Sequence, residues 1–68
     1  MNKAEFQELI VCIELLKVVF KDDDKVAMWM TSENPFLGES KPINLFWRER
    51  GHKVKAFIAS CIEEGDFK

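Results

Sequence analysis

The segment Lys3–Phe20, KAEFQELIVCIELLKVVF, decides the fold class of this 68-residue chain. It contains neither glycine nor proline, and its apolar residues recur at intervals of three and four, which is the spacing of one face of an α-helix. The residues on that face are Phe6, Leu9, Ile10, Ile13, Leu16 and Phe20. The segment therefore predicts a long first helix that packs this face against the rest of the chain.

The same helix carries a second apolar set, which bears on the oligomeric state. The set consists of Val11, Cys12, Leu15, Val18 and Val19. A chain of this length has one small core, and such cores are usually supplemented by disulfides, metals or association. Either shorter helices of the same chain cover the second set, or a second copy of the chain does. The small core favours the second copy, and we expect a homodimer.

Three shorter helices are predicted after the first. An aspartate of the polar run at residues 21–25 is expected to cap the second helix, which ends before Asn34-Pro35 because the residue before a proline avoids the helical conformation. Ser40 and Pro42 predict the start of the third helix, since serine caps well and proline is tolerated in a first turn. The second and third helices bring Trp29 and Trp47 onto their apolar sides.

The last helix has the clearest amphipathic pattern, preceded by Gly51 and ended by Gly65, which is well placed as a C-terminal cap. Its apolar positions are Val54, Phe57, Ile58, Cys61 and Ile62. No stretch alternates with a period of two for long enough to form a strand. The sequence predicts a single all-α domain over residues 1–68, a compact bundle with one long helix followed by three shorter ones.

Aromatic residues and thiols are expected inside this bundle. Both tryptophans are assigned to the core, and Phe36 and Leu37 are expected to fold back onto it from their loop. Cys12 and Cys61 are interpreted as buried thiols in a reducing cytoplasm, rather than as a disulfide, because each lies in an apolar helical pattern.

The chain offers little that catalysis requires. His52 is the only histidine, and a pairing with Cys61 is disfavoured because that cysteine belongs to the apolar stripe. The acids at 22–24 lack the spacing of a calcium loop, and no phosphate-binding glycine motif is present. We expect no catalytic residue, no metal and no cofactor, and we interpret the chain as a binding module.

Charge and hydropathy narrow the partners. The net charge is −2, and the apolar run at residues 9–20 falls short of the roughly 20 residues that span a membrane. We expect a cytoplasmic protein without a membrane partner. A basic patch at Arg48, Arg50 and Lys53 could contact nucleic acid. Because the net charge is negative, we prefer the interpretation that these cations are solvated and interact favourably with the dipole at the end of the third helix.

A set of residues in the second half has a distinctive order and spacing. It comprises Ala27, Trp29-Met30, Asn34-Pro35, Leu37-Gly38, Pro42 with Ile43 and Leu45, Gly51, Val54, Ile58 and Gly65. Over residues 26–65 this set resembles the toxin-binding C-terminal domain of the MbcA, ParS and Xre antitoxins of bacteria. The family commonly has leucine where this chain has Met30 and a second glycine where it has Glu39. Members usually carry an N-terminal helix-turn-helix domain, which has no counterpart here, so DNA binding is not carried over.

The resemblance implies a homodimeric antitoxin domain that binds a RES-domain toxin, a protein that consumes NAD. In that family the chain end after the last helix approaches the toxin's cleft, so the implied toxin contacts are Gly65, Asp66, Phe67 and Lys68. The motif residues Trp29, Asn34, Pro35, Leu37, Gly38, Pro42, Gly51 and Val54 are expected to be structural. Two other interpretations stay open: a helical dimeric regulator of an unrelated protein, and a nucleic-acid binder that uses the basic residues at 48–55.

Overall fold

The computed structural model describes residues 1–65, and residues 66–68 lie outside the described part of the chain. Four α-helices and one 3-10 turn follow in the order α1 (Lys3–Phe20), α2 (Asp23–Thr31), the 3-10 turn (Pro35–Leu37), α3 (Pro42–Trp47) and α4 (Gly51–Glu64). Residues 1–65 contain no strand, only an isolated antiparallel bridge between Asn34 and Ser40. The prediction of an all-α bundle with a long first helix is confirmed.

Local side chains fix where the first two helices begin and end. The Asn2 side chain accepts a hydrogen bond from the Glu5 amide at 2.8 Å, which caps α1. Lys21 follows α1 in the left-handed conformation with φ of 56°. Asp22 then caps α2 by accepting from the Asp24 amide at 2.9 Å, as the predicted aspartate cap requires. The chain therefore reverses between α1 and α2 within two residues.

The core lies where α1, α3 and α4 meet, and α2 closes it from one side. Its buried apolar residues are Cys12, Leu16, Val26, Met30, Leu45, Phe46, Val54 and Ile58. Phe46 is the largest fully buried side chain, although α3 is only six residues long. A short helix thus contributes the central aromatic residue, and the longer helices surround it.

The second apolar set of α1 is divided by the packing. Cys12 is fully buried, and Leu15 packs against the core. Val11 and Val18 stay exposed, at 41% and 72% of their surface. The chain's own helices therefore cover part of the set that we assigned to a second copy.

Three sequence predictions are wrong in detail. Ser40 does not cap α3: Lys41 occupies the cap position without a side-chain hydrogen bond, because the Ser40 backbone pairs with Asn34. Trp47 is 63% exposed, since the short helix turns Leu45 and Phe46 inward and the next side chain outward. Phe36 is 79% exposed, because the 3-10 turn directs its neighbour Leu37 onto the core instead.

The remaining interior predictions are met only in part, because Phe6 and Ile10 of the predicted α1 face are exposed at 54% and 44% and Cys61 is only partly buried. Trp29 is half-buried and contacts the core, and neither Cys12 nor Cys61 is in a disulfide. Within residues 1–65, no helix has both the length and the apolar character that crossing a membrane would require.

Candidate functional site

The C-terminal end of α4 is the part of the implied toxin contact that the structure describes. Gly65 adopts φ of 65° and its amide donates a hydrogen bond to the Ile62 carbonyl at 3.2 Å, so it is the predicted helix cap. It is exposed, and apart from its chain neighbours no atom of residues 1–65 lies within 4 Å of the position that a Cβ would take. The other three implied contacts, Asp66, Phe67 and Lys68, lie outside the described residues.

The loop between α2 and α3 is closed by hydrogen bonds centred on Asn34. Its side chain accepts from the Phe36 amide at 2.9 Å, and its carbonyl accepts from the amides of Leu37 and Glu39, each at 3.0 Å. Its own amide donates to the Ser40 carbonyl at 3.0 Å. One asparagine therefore satisfies most of the loop's polar backbone, which gives the Asn-Pro pair of the sequence motif a structural reason.

Two consecutive residues in this loop have left-handed backbone. Gly38 has φ of 67° and Glu39 has φ of 65°. Glycine adopts this conformation freely, whereas a residue with a Cβ is strained there. The glycine at 38 is thus explained, and Glu39 stands at a position that would favour a second glycine.

The corner between α3 and α4 is built around Gly51. A Cβ at this position would overlap the ring of Phe46 and the carboxylate of Glu5. The Glu5 carboxylate accepts a hydrogen bond from the Gly51 amide at 3.1 Å. Because the cap residue Arg50 provides no side-chain hydrogen bond, a carboxylate from α1 satisfies the start of α4 and matches its dipole. This long-range contact was not predicted, and nothing local in the sequence indicates it.

One turn further along the α1–α4 interface, a buried thiol lies beside charged residues. Burial, as the largest cause, and the nearby Glu8 carboxylate raise the pKa of the Cys12 thiol from 9.0 to about 11, and Lys55 acts in the opposite direction. Glu8 and Lys55 form an ion pair at 3.7 Å. A thiol that stays protonated at neutral pH is a poor nucleophile. Among residues 1–65, no group of three acids, cysteines or histidines is placed to hold a metal ion.

A basic groove brings together residues that the sequence kept apart. It has a volume of about 580 Å³ and lies between the 3-10 turn, the end of α3 and the first half of α4. The predicted basic patch contributes Arg48, Arg50 and Lys53 to its lining, and Phe36 and Phe57 contribute two aromatic rings. The motif residues Leu37 and Gly38 also line it. The exposure of Phe36 makes this an open aromatic surface rather than a plain charged turn.

Three other motif residues are wholly or partly buried, and a separate apolar patch lies between α1 and α3. Val54 is fully buried, Pro42 is buried at the start of α3, and Trp29 packs against Phe57. Trp47 instead joins a surface hollow of about 550 Å³, which we call the α1–α3 apolar patch. Its apolar members are Met1, Phe6, Leu9, Ile43 and Trp47.

Comparison of the chain with protein-family models, with curated proteins and with solved structures gives no match.

Proposed function

We propose that this chain is an antitoxin-like interaction module that binds a RES-type, NAD-consuming toxin and occludes its cleft without chemistry of its own. The observation that carries the proposal is the ordered motif of residues 26–65, several members of which have a definite structural task. Asn34 closes the loop, Pro42 begins α3 and Gly51 permits the tight corner. Three members of the motif therefore shape one loop and one corner, an arrangement that is more specific than the same residue types scattered over a helical bundle.

The main departure from the family pattern leaves the loop compatible with it. Glu39 stands where the family commonly has a second glycine, and its φ of 65° is the conformation that glycine favours. The backbone therefore follows the course that a Gly-Gly pair would take, at a small energetic cost. The residue difference at position 39 therefore does not require a different course of the backbone.

The mode of action that we propose is occlusion by the chain end. Gly65 ends α4 at the surface, and Asp66, Phe67 and Lys68 follow it in the sequence. An apolar anchor between an acid and a base can fill a cleft and add complementary charge. This action requires no catalytic residue in the chain.

We further propose that the module is a cytoplasmic homodimer that associates through the α1–α3 apolar patch, and not through the second apolar set of α1 that the sequence suggested, because Cys12 and Leu15 of that set are covered wholly or in part by the chain itself. Phe6 is 54% exposed and Trp47 is 63% exposed, and both line this patch. A single small core gains most from burying such a surface against a second copy. Sedimentation should give a dimer that the double substitution Phe6→Ser and Trp47→Ser converts to monomer, whereas Val18→Ser leaves the dimer intact. A wild-type mass of one chain at all concentrations contradicts the dimer.

The deciding experiment is co-purification of the chain with a RES-domain protein encoded beside it. We expect a stable complex in which the toxin no longer consumes NAD. Deletion of residues 66–68 from the chain should restore NAD consumption. The matched control, Arg48→Ala with Arg50→Ala, should leave neutralisation intact because these residues lie in the basic groove. Full neutralisation by the truncated chain would eliminate the tail mechanism. If both proteins fold and no complex forms, the alternative of a dimeric regulator of an unrelated protein takes precedence.

A further inference from the structure

Three aromatic rings stack beside the basic groove. The rings of Trp29 and Phe57 have centroids 6.3 Å apart at an interplanar angle of 12°, and those of Phe36 and Phe57 have centroids 5.8 Å apart at 21°. Phe36 has the largest exposed fraction among the large apolar side chains of residues 1–65. The fold thus holds a ring in place from one side and leaves most of its surface to solvent.

Cations that form no salt bridge within residues 1–65 line the same groove as this exposed ring. Arg48, Arg50 and Lys53 are all exposed and line the groove. Within residues 1–65 the only ion pair is that of Lys55 with Glu8, so these three cations are not neutralised by salt bridges. No acidic side chain among the described residues lines the groove. The chain as a whole is acidic, and the groove is a local exception.

Stacking ring and cations together define the chemistry of the ligand. Arginine guanidinium groups bind phosphate in a two-pronged geometry, and an exposed aromatic ring stacks on a nucleobase of any sequence. An acidic protein segment would use the cations, but its apolar anchors favour enclosed pockets over an open ring. In a duplex the bases are stacked on each other and cannot reach such a ring.

We propose that the basic groove binds the nucleoside phosphate units of single-stranded nucleic acid. A base stacks on Phe36 while Arg48, Arg50 and Lys53 contact the phosphates. Gly65, the described residue of the proposed toxin contact, does not line this groove, and the groove proposal stands whether or not that contact exists. The sequence favoured a solvated helix end for these cations, and the exposed ring is what changes that interpretation.

Fluorescence anisotropy with a labelled oligothymidylate of about 12 nucleotides tests the site. We expect saturable binding that weakens about 20-fold between about 50 and about 200 mM salt, because three phosphate contacts give a logarithmic slope of about −2. Phe36→Ala should weaken binding about tenfold through loss of stacking, and Phe36→Leu, which keeps an apolar side chain, should weaken it similarly. The triple change of Arg48, Arg50 and Lys53 to Ala should abolish binding.

Control variants test whether binding is specific to the groove, and competition by AMP tests whether the groove binds free nucleotide or a nucleic-acid strand. Val18→Ala and Lys17→Ala remove an exposed apolar residue and an exposed cation from α1, and both should bind like the wild type. Competition by AMP as strong as that by the oligonucleotide would identify free nucleotide as the source of the shared chemistry, whereas much weaker competition would identify the strand. The proposal is overturned by an affinity unchanged in both Phe36 variants, by equal binding of a duplex, by tighter binding of an acidic peptide, or by no binding of either nucleic acid or AMP.

Discussion

The two ends of α4 each carry a motif glycine, but for different physical reasons. Gly51 is buried, and the space beside it is filled by Phe46 and by the Glu5 carboxylate. Gly65 is exposed with open space around it, and its φ of 65° is what requires glycine. One glycine answers a steric demand and the other a conformational one.

This difference separates the part of the molecule that maintains the fold from the part that is available to a partner. The corner at Gly51 ties α1, α3 and α4 together, so a change there disturbs the whole core. The end at Gly65 contacts little, so a change there is mostly local. Substitutions of the same kind at the two ends should therefore have very different effects on stability and on partner binding.

The largest expected effect is that of Gly51→Ala. A methyl group would overlap Phe46 and displace Glu5 from the α4 amide, so we expect the free energy of unfolding to fall by about 3 kcal/mol. Urea denaturation followed by circular dichroism measures it. A loss below about 1 kcal/mol would show that the corner can relax and that the contrast between the two glycines is small.

Alkaline pH should weaken the same interface through Cys12. Its folded-state pKa of about 11 lies above the reference value of 9.0, so the neutral thiol stabilises the fold below pH 9 and this stability is lost as pH rises towards 11. About 2 kcal/mol should be lost over that range. Comparing the pH dependence of unfolding of the wild type with that of Cys12→Ala separates the contribution of the Cys12 thiol from that of the lysines, which titrate in the same range. Identical slopes for both proteins would contradict it.

Glu5→Ala removes the carboxylate that satisfies the start of α4. We expect a loss of about 1.5 kcal/mol, and about half as much for Glu5→Gln, which retains an acceptor but not the charge. Glu14→Ala, on the exposed side of α1, is the control and should change stability by less than about 0.5 kcal/mol. Equal effects of the Glu5 and Glu14 substitutions would mean that the long-range contact contributes nothing.

The smallest effects concern left-handed backbone. Gly65→Ala should lower the free energy of unfolding by about 1 kcal/mol because of its positive φ alone. Glu39→Gly should raise it by about 0.5 kcal/mol, because the relief of backbone strain outweighs the greater conformational entropy that glycine loses on folding. Thermal unfolding detects both changes. A destabilising Glu39→Gly would show that the glutamate side chain has a stabilising role that outweighs the strain.

The sequence predicted the fold well because its helices are marked locally. Apolar spacing predicted α1 and α4, the polar run at 21–25 predicted an aspartate cap that Asp22 provides, and Pro42 and Gly65 marked a helix start and a helix end. The errors at Trp47 and Ser40 have one cause. In a helix of six residues, the choice of inward side chains depends on what surrounds it, and periodicity over so few residues does not determine that choice.

The candidate site was less accessible to sequence reasoning. The three cations were recognised as a patch, but their meeting with Phe36 depends on the rotation of a 3-10 turn whose residues carry no periodic signal. The contact of Glu5 with Gly51 joins residues far apart in the chain, so neither neighbourhood reveals the other. The prediction about residues 66–68 rests on the resemblance, and deletion of the tail tests it directly.

The hydrogen bonds of Asn34 have a consequence for the thermodynamics of association. A loop that must become ordered when a ligand arrives loses conformational entropy, and that loss subtracts from the affinity. Here Asn34 already holds the backbone of the turn that carries Phe36, so the ordering has occurred during folding. Asn34→Ala should therefore weaken ligand binding at the groove through a more unfavourable entropy, even though the asparagine itself touches no ligand.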